Sequence, residues 1–280
     1  MEYKKSRKYR KNGRNIGTYI VVAMLALLIV LPMLDLLVWT VTERWAWPDL
    51  MPQVYSARAV EEIFGRREEM LKLFGSSVMI SASVSVLSAA VGMMTARALT
   101  CYKFRGREAL YFLSLLPFLV PATVFAMGVQ VTFLKWGIGN SVAGVILAHL
   151  ICSLPYAVRL LMDGMAAVGT RLEEQAQVLG ADPFQAFRLV TMPLLTPVIL
   201  SALSMSYIVS FSQYFLTLLI GGGTVKTFTI VMVPYLQSGS RNIACVYSAA
   251  FLAVTLLVFG AFEWLIRCWS KGNVVEYDFG

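Results

Sequence analysis

The chain has 280 residues, of which 58% are apolar and only 14% charged, with 24 basic residues against 16 acidic ones and a mean hydropathy of +0.69. An ordinary globular domain is about 45–50% apolar and about 25% charged, so too little polar surface remains here to coat a soluble body. These values exclude a cytosolic or secreted globular enzyme, a disordered chain and a coiled coil, and they require a protein whose solvent is mostly lipid.

The excess charge is local. Lys4, Lys5, Arg7, Lys8, Arg10, Lys11 and Arg14 lie in the first fourteen positions. No basic stripe continues into an apolar segment, so the head reads as an anchor at an anionic membrane surface and no nucleic-acid partner is expected. Cys101, Cys152, Cys245 and Cys268 are far apart and accompany one histidine, His149. That spacing supports neither a disulfide framework nor a metal site.

A run must hold roughly 20 apolar residues to cross about 30 Å of hydrocarbon. Six runs qualify, at about 16–40, 74–99, 110–134, 141–162, 197–219 and 244–268. They predict an all-α polytopic membrane protein, a six-helix bundle. The first run passes Asp35 and Trp39 without a small-residue cleavage pattern and reads as a retained anchor. An even span count puts both termini on one face. Lys and Arg number 14 on that face against 8 on the other, which predicts a cytoplasmic location for both termini.

Between the first two spans, Glu43 to Lys72 carries Trp45, Trp47, Pro48, Pro52 and mixed charges, as an extracytoplasmic cap with some helix would. The second span carries Ser77, Ser81, Ser85, Ser88 and Gly92 at helical spacing, a stripe that lets two helices approach closely. Pro117 and Pro121 bend the third span, and Gln130 lies near its outer end. His149 sits mid-span in the fourth, where a bond to a neighbouring helix is favoured over contact with a solute.

The loop at about 164–196 encodes two short helices. Thr170 and Glu173 form a capping-box pattern, and Gly180 supplies the turn that ends the first helix. Asp182 caps the second, with Pro183 at its first position and Gln185 at its third, and Pro193 and Pro197 stop it before the fifth span. Leu172, Gln175, Ala176 and Leu179 share one face, while Phe184, Phe187 and Arg188 project together. Such a helix-turn-helix is either a docking surface or a loop folded back on the bundle, and the caps leave both open.

On the fifth span Ser206, Ser210 and Gln213 fall on one face beside Tyr207 and Tyr214. Polar groups of that size need water or partners at membrane depth, so this face is a candidate path lining. A polar outer segment, Gly221 to Arg241, follows. Its start resembles a phosphate loop, but Val225 occupies the place where glycine must precede Lys226. Glu263 and Arg267 form a helix pair in the last span. No nucleophile, acid pair or metal cluster supports an enzyme.

Glu174, Gln175, Ala176, three residues, Gly180, nine residues, Val190, Thr191, Met192, Pro193 resembles the EAA loop of the permease subunits of type I ABC importers, the binding-protein-dependent transporters. Glu174, Ala176, Gly180 and Pro193 match that pattern at full spacing, whereas Gln175, Val190 and Met192 depart from it. The loop also falls between a fourth and a fifth span, as the family requires, and the resemblance covers roughly residues 74–268. It implies a basic tail (1–15), a first span with its outer loop (16–73), a permease core (74–268) and a C-terminal tail (269–280).

In that family the loop is the coupling helix seated in a cleft of the ATPase. Carried over, Glu174 is the charge anchor, Gly180 the turn, and Phe184 and Phe187 the knobs. The family's third and fifth spans border the translocation path, which favours Gln130, Ser206, Tyr207, Ser210, Gln213 and Tyr214 as its lining. The implied partners are a second permease subunit, two ATPase subunits that bind ATP and Mg, an extracytoplasmic binding protein and membrane lipid. The run Ser210 to Tyr214, with Thr217, Gly221 to Gly223 and Thr227, is similar to the branch serving polyamines, ferric iron, thiamine and related small charged solutes. The rival reading is an ion-coupled secondary transporter or channel, in which Asp35, His149 or Glu263 couples ions to transport.

Overall fold

The computed structural model describes residues 16–46, 48–49 and 51–273. The basic head at 1–15, Trp47, Leu50 and the tail from 274 lie outside them. Helix α1 (Ile16–Thr40) is apolar on every side, and none of its apolar stretch is buried. It lies at the periphery, packed against the long last helix α12 (Arg241–Asn273). A hairpin of β1 (Thr42–Arg44) and β2 (Val54–Tyr55) follows, then α2 (Arg58–Gly65), whose Ala59 and Ile63 pack on Val246 of α12. The stretch between the first two spans is thus partly helical, as expected.

Helix α3 (Arg67–Cys101) starts seven residues earlier than the apolar run, because Glu68 and Glu69 fit its first turn, where the helix dipole favours carboxylates. The expected third span is two helices, α4 (Arg107–Leu119) and α5 (Ala122–Lys135), meeting at 107°. Pro121 forces the preceding Val120 into an extended conformation (φ −94°, ψ 130°), so the chain breaks rather than bends. Ser141 caps α6 (Val142–Val168) by accepting from the Gly144 amide at 3.0 Å.

The 164–196 region holds α7 (Arg171–Val178) and α8 (Pro183–Ala186). Pro193 and Pro197 do not stop the second loop helix. A π-helical turn at Phe187–Thr191 joins α8 to α9 (Met192–Phe211), giving a continuous helical run of 29 residues. Pro193 lies directly after the π-helical turn, inside this run. Nor does the fifth span reach residue 219. It ends at Phe211, and α10 (Phe215–Gly221) begins after a turn. The Gln213 carbonyl at that break accepts from the Thr217 and Thr229 hydroxyls at 2.7 and 3.1 Å, which satisfies backbone that the helix leaves unpaired. The outer segment is also less polar than its ends suggest, since it contains the short apolar helix α11 (Phe228–Gln237).

Helices α3, α6 and α9 interlock at the centre. The small-residue stripe of α3 is buried there. A Cβ on Gly92 would stand 3.0 Å from that of Ala157, and one on Gly164 would stand 2.7 Å from a Val198 methyl. Neither position admits a side chain unless its neighbour moves. Ser85 donates to the Leu203 carbonyl at 2.7 Å and ties α3 to α9. Five described helices are long and apolar enough to cross a membrane, and six spans result when α4 and α5 are one broken span.

Candidate functional site

The 164–196 loop is fixed to the bundle from inside. Thr170 makes no side-chain cap, contrary to the capping-box expectation: its backbone is helical (φ −98°, ψ −12°) where a capping residue is extended, and the carboxylate of Glu173 is used elsewhere. It receives both terminal nitrogens of Arg97, near the end of α3, with Nη1 to Oε2 at 3.2 Å. The Thr191 hydroxyl donates to the same carboxylate at 2.8 Å, from the last residue of the π-helical turn. The Arg97 guanidinium lies 4.1 Å from the ring centre of Phe187, so Phe187 faces inward instead of projecting with Phe184. One buried carboxylate thereby joins α3, α7 and the start of α9.

Burial pushes the Glu173 carboxyl up, but the hydrogen bonds from Arg97 and Thr191 and the Arg97 charge outweigh it and hold the group below the usual carboxylate range. The second expected cap is made in full. Asp182 accepts from the Phe184 and Gln185 amides at 2.8 and 2.9 Å, and its own amide reaches Gln185 Oε1 at 3.4 Å. Gly180 has φ +99° with open space around its α-carbon, the left-handed turn that its motif position calls for.

With its inner side committed, the loop turns the rest outward. Glu174 is exposed, Ala176 and Pro193 are half-buried, and Val178, Leu179 and Phe184 are 87, 89 and 69% exposed. An apolar ridge of that kind flanked by a free carboxylate suits a groove on another protein. Arg97, Glu173 and Thr191 were not singled out by the motif. The signal that points to them is a lone cation at the end of an apolar helix, which needs a partner.

Within the bundle, His149 bridges two elements, with Nδ1 3.0 Å from Ser210 Oγ and Nε2 3.0 Å from Thr217 Oγ1. This is the neighbouring-helix role that its mid-span position favours. Ser206, Tyr207 and Ser210 are all buried, and the Ser206 and Tyr207 hydroxyls have no partner among the described residues. Gln213 is off the helix, in the turn after α9, and is half-buried with Tyr214. Gln130 donates to the Leu219 carbonyl at 3.0 Å and ties α5 to α10. The six candidate path residues therefore do not form one open face in this conformation.

Residues 88–269, which include the loop and its anchor, match the family model of the binding-protein-dependent transport system inner membrane component. The chain belongs to this family. Among its relatives, the molybdate/tungstate transport system permease protein WtpB of Pyrococcus abyssi is 24% identical over 254 residues, covering 91% of this chain and 97% of that protein. The spermidine/putrescine transport system permease protein PotC of Haemophilus influenzae is 26% identical over 163 residues, 58% of this chain and 63% of that one. In structure, the chain is similar to a chain of a bacterial ABC transporter involved in importing the acidic polysaccharide alginate, with a TM-score of 0.68 at 17% identity over 89% of this chain and 95% of that one. The permease is thus the membrane-spanning part of a binding-protein-dependent ABC importer, and its all-helical bundle is the fold of that class.

Proposed function

We propose that this permease imports a small charged solute by alternating access, with the 164–196 loop seated in a cytoplasmic ATPase. The observation that carries this reading is the division of the loop. Glu173 is spent on an internal anchor, while Glu174, Val178, Leu179 and Phe184 face away from the bundle. A coupling element must be rigidly tied to the membrane helices and open to its partner, and this loop meets both requirements. Two ATPase subunits would bind ATP and Mg. A second permease chain would complete the path, and an external binding protein would deliver the solute. Both termini would be cytoplasmic.

The relatives' names support charge as the common property of the solute, since molybdate and tungstate are anions and spermidine and putrescine are cations. The sign of the charge would be read by the binding protein. The path would border Gln130, Gln213 and Tyr214, with Ser206, Tyr207 and Ser210 joining it when the bundle opens. The two orphan hydroxyls favour that motion, because buried groups without partners are costly unless another state supplies them.

The test is co-purification. The permease should carry an ATPase and a binding protein with it, and Leu179→Asp with Phe184→Asp should release the ATPase alone. Import by the chain without an ATPase, driven by an ion gradient, would replace this reading by that of a secondary carrier.

A further inference from the structure

At the end of the molecule far from the 164–196 loop, the top of α1, the β1 strand and the start of α12 enclose a cleft of about 290 Å³. Trp39, Glu43, Arg44, Trp45, Arg241 and Asn242 line it. The two indoles stack at 5.2 Å between ring centres, and the Arg241 guanidinium lies 5.5 Å from the centre of Trp39. A guanidinium held over an indole keeps N–H donors for an anion. Two cations face one carboxylate here, and among the described residues neither Arg44 nor Arg241 forms an ion pair. We propose that this cleft holds the phosphate of an anionic phospholipid.

Position selects lipid over a protein ligand. Helix α1 ends at Thr40 and α12 begins at Arg241, so the cleft sits where two membrane-crossing helices reach the headgroups. Stacked tryptophans suit that level, with apolar rings and a polar edge. Directly below, Leu37 and Val38 of α1 are exposed and offer a surface to acyl chains. The cleft is also peripheral, beside a helix that packs chiefly on α12 and outside the interlocked α3, α6 and α9. A docked binding protein would be needed over that centre. The lipid would fill the groove between α1 and α12 and fasten the peripheral helix to the core.

The test uses the full complex in nanodiscs of equal phosphatidylcholine and phosphatidylglycerol, with retained lipids counted by native mass spectrometry. Phosphatidylglycerol should be retained over phosphatidylcholine, and the Arg44→Gln, Arg241→Gln double variant should lower its affinity about thirtyfold. Arg44→Lys with Arg241→Lys should keep most of it. Arg58→Gln, the same charge change on the exposed face of α2 outside the cleft, should have no effect. Undiminished phosphatidylglycerol retention in the double Gln variant would overturn the proposal. So would full displacement of the lipid by inorganic phosphate, or a double variant that loses binding-protein docking while retaining phosphatidylglycerol.

Discussion

Arg97 and Glu173 are 76 residues apart in the chain and meet as a two-pronged ion pair beneath the 164–196 loop. Their side chains are 20 and 11% exposed, and Thr191 completes the carboxylate's shell. Any tilt of α7 driven from outside must therefore reach α3 and α9 together.

Removing one partner of a fully buried pair costs about 3–5 kcal/mol, and the partial exposure here reduces that to about 1–3 kcal/mol. Glu173→Gln is expected to loosen the loop, lower the melting temperature and uncouple ATP hydrolysis from import. Arg97→Gln should do the same, and the two changes together should cost less than their sum. Strict additivity in a double-mutant cycle would show that the pair does not act as one anchor.

The pair also fixes a pH dependence. A carboxyl whose folded value is depressed contributes stability that is complete above its ordinary value near 4.5 and fades as pH falls through the lower folded value. The protection factors of the amides at 170–179, which remove the intrinsic pH dependence of exchange, should fall on acidification below that range in the wild type. In Glu173→Gln they should already be low at neutral pH and change little with acid.

Gly180 turns at φ +99°, a conformation that costs an L-residue about 1–2 kcal/mol and a β-branched one more. Gly180→Val should leave the chain inserted but move α8 relative to α7, so that ATPase stimulation by loaded binding protein falls. Normal import with normal stimulation would remove Gly180 from the coupling element.

The buried Ser206 hydroxyl lacks a partner. Ser206→Ala should therefore stabilise the resting complex by about 1 kcal/mol and still slow import, if the hydroxyl is used in another state. A cysteine at 206 or 210 should resist water-soluble thiol reagents at rest and react after ATP binding. Reactivity indifferent to nucleotide would take α9 out of the path.

Close packing at Gly164 gives a different test. Gly164→Ala would press its new methyl on Val198 and cost about 1–3 kcal/mol, and Val198→Ala in the same chain should recover most of it. Failure to recover would mean that the α6–α9 contact is not set by this pair.

The spans were legible because lipid demands length and apolarity, both of which are local properties. The loop was legible because Glu174, Ala176, Gly180 and Pro193 keep fixed spacing, and Asp182 with Gln185 is a cap decided within four residues. What the sequence hid is decided between distant segments. Glu173 reads as a cap for Thr170 until Arg97 and Thr191 compete for it. The run from 197 to 219 reads as one helix until Thr217 and Thr229 satisfy the Gln213 carbonyl at a break. The proline at 121 announced a bend, but the 107° turn depends on how α4 and α5 pack.

If the 164–196 loop is the joint between hydrolysis and transport, cutting its internal anchor must separate the two. Proteoliposomes containing the complete importer, supplied with loaded binding protein, give the most direct reading when solute uptake and phosphate release are recorded together. Wild-type protein should show uptake that requires ATP. The Glu173→Gln variant should keep basal phosphate release and lose both uptake and its stimulation by binding protein. Wild-type rates of uptake and stimulation in a correctly inserted Glu173→Gln variant would contradict the account.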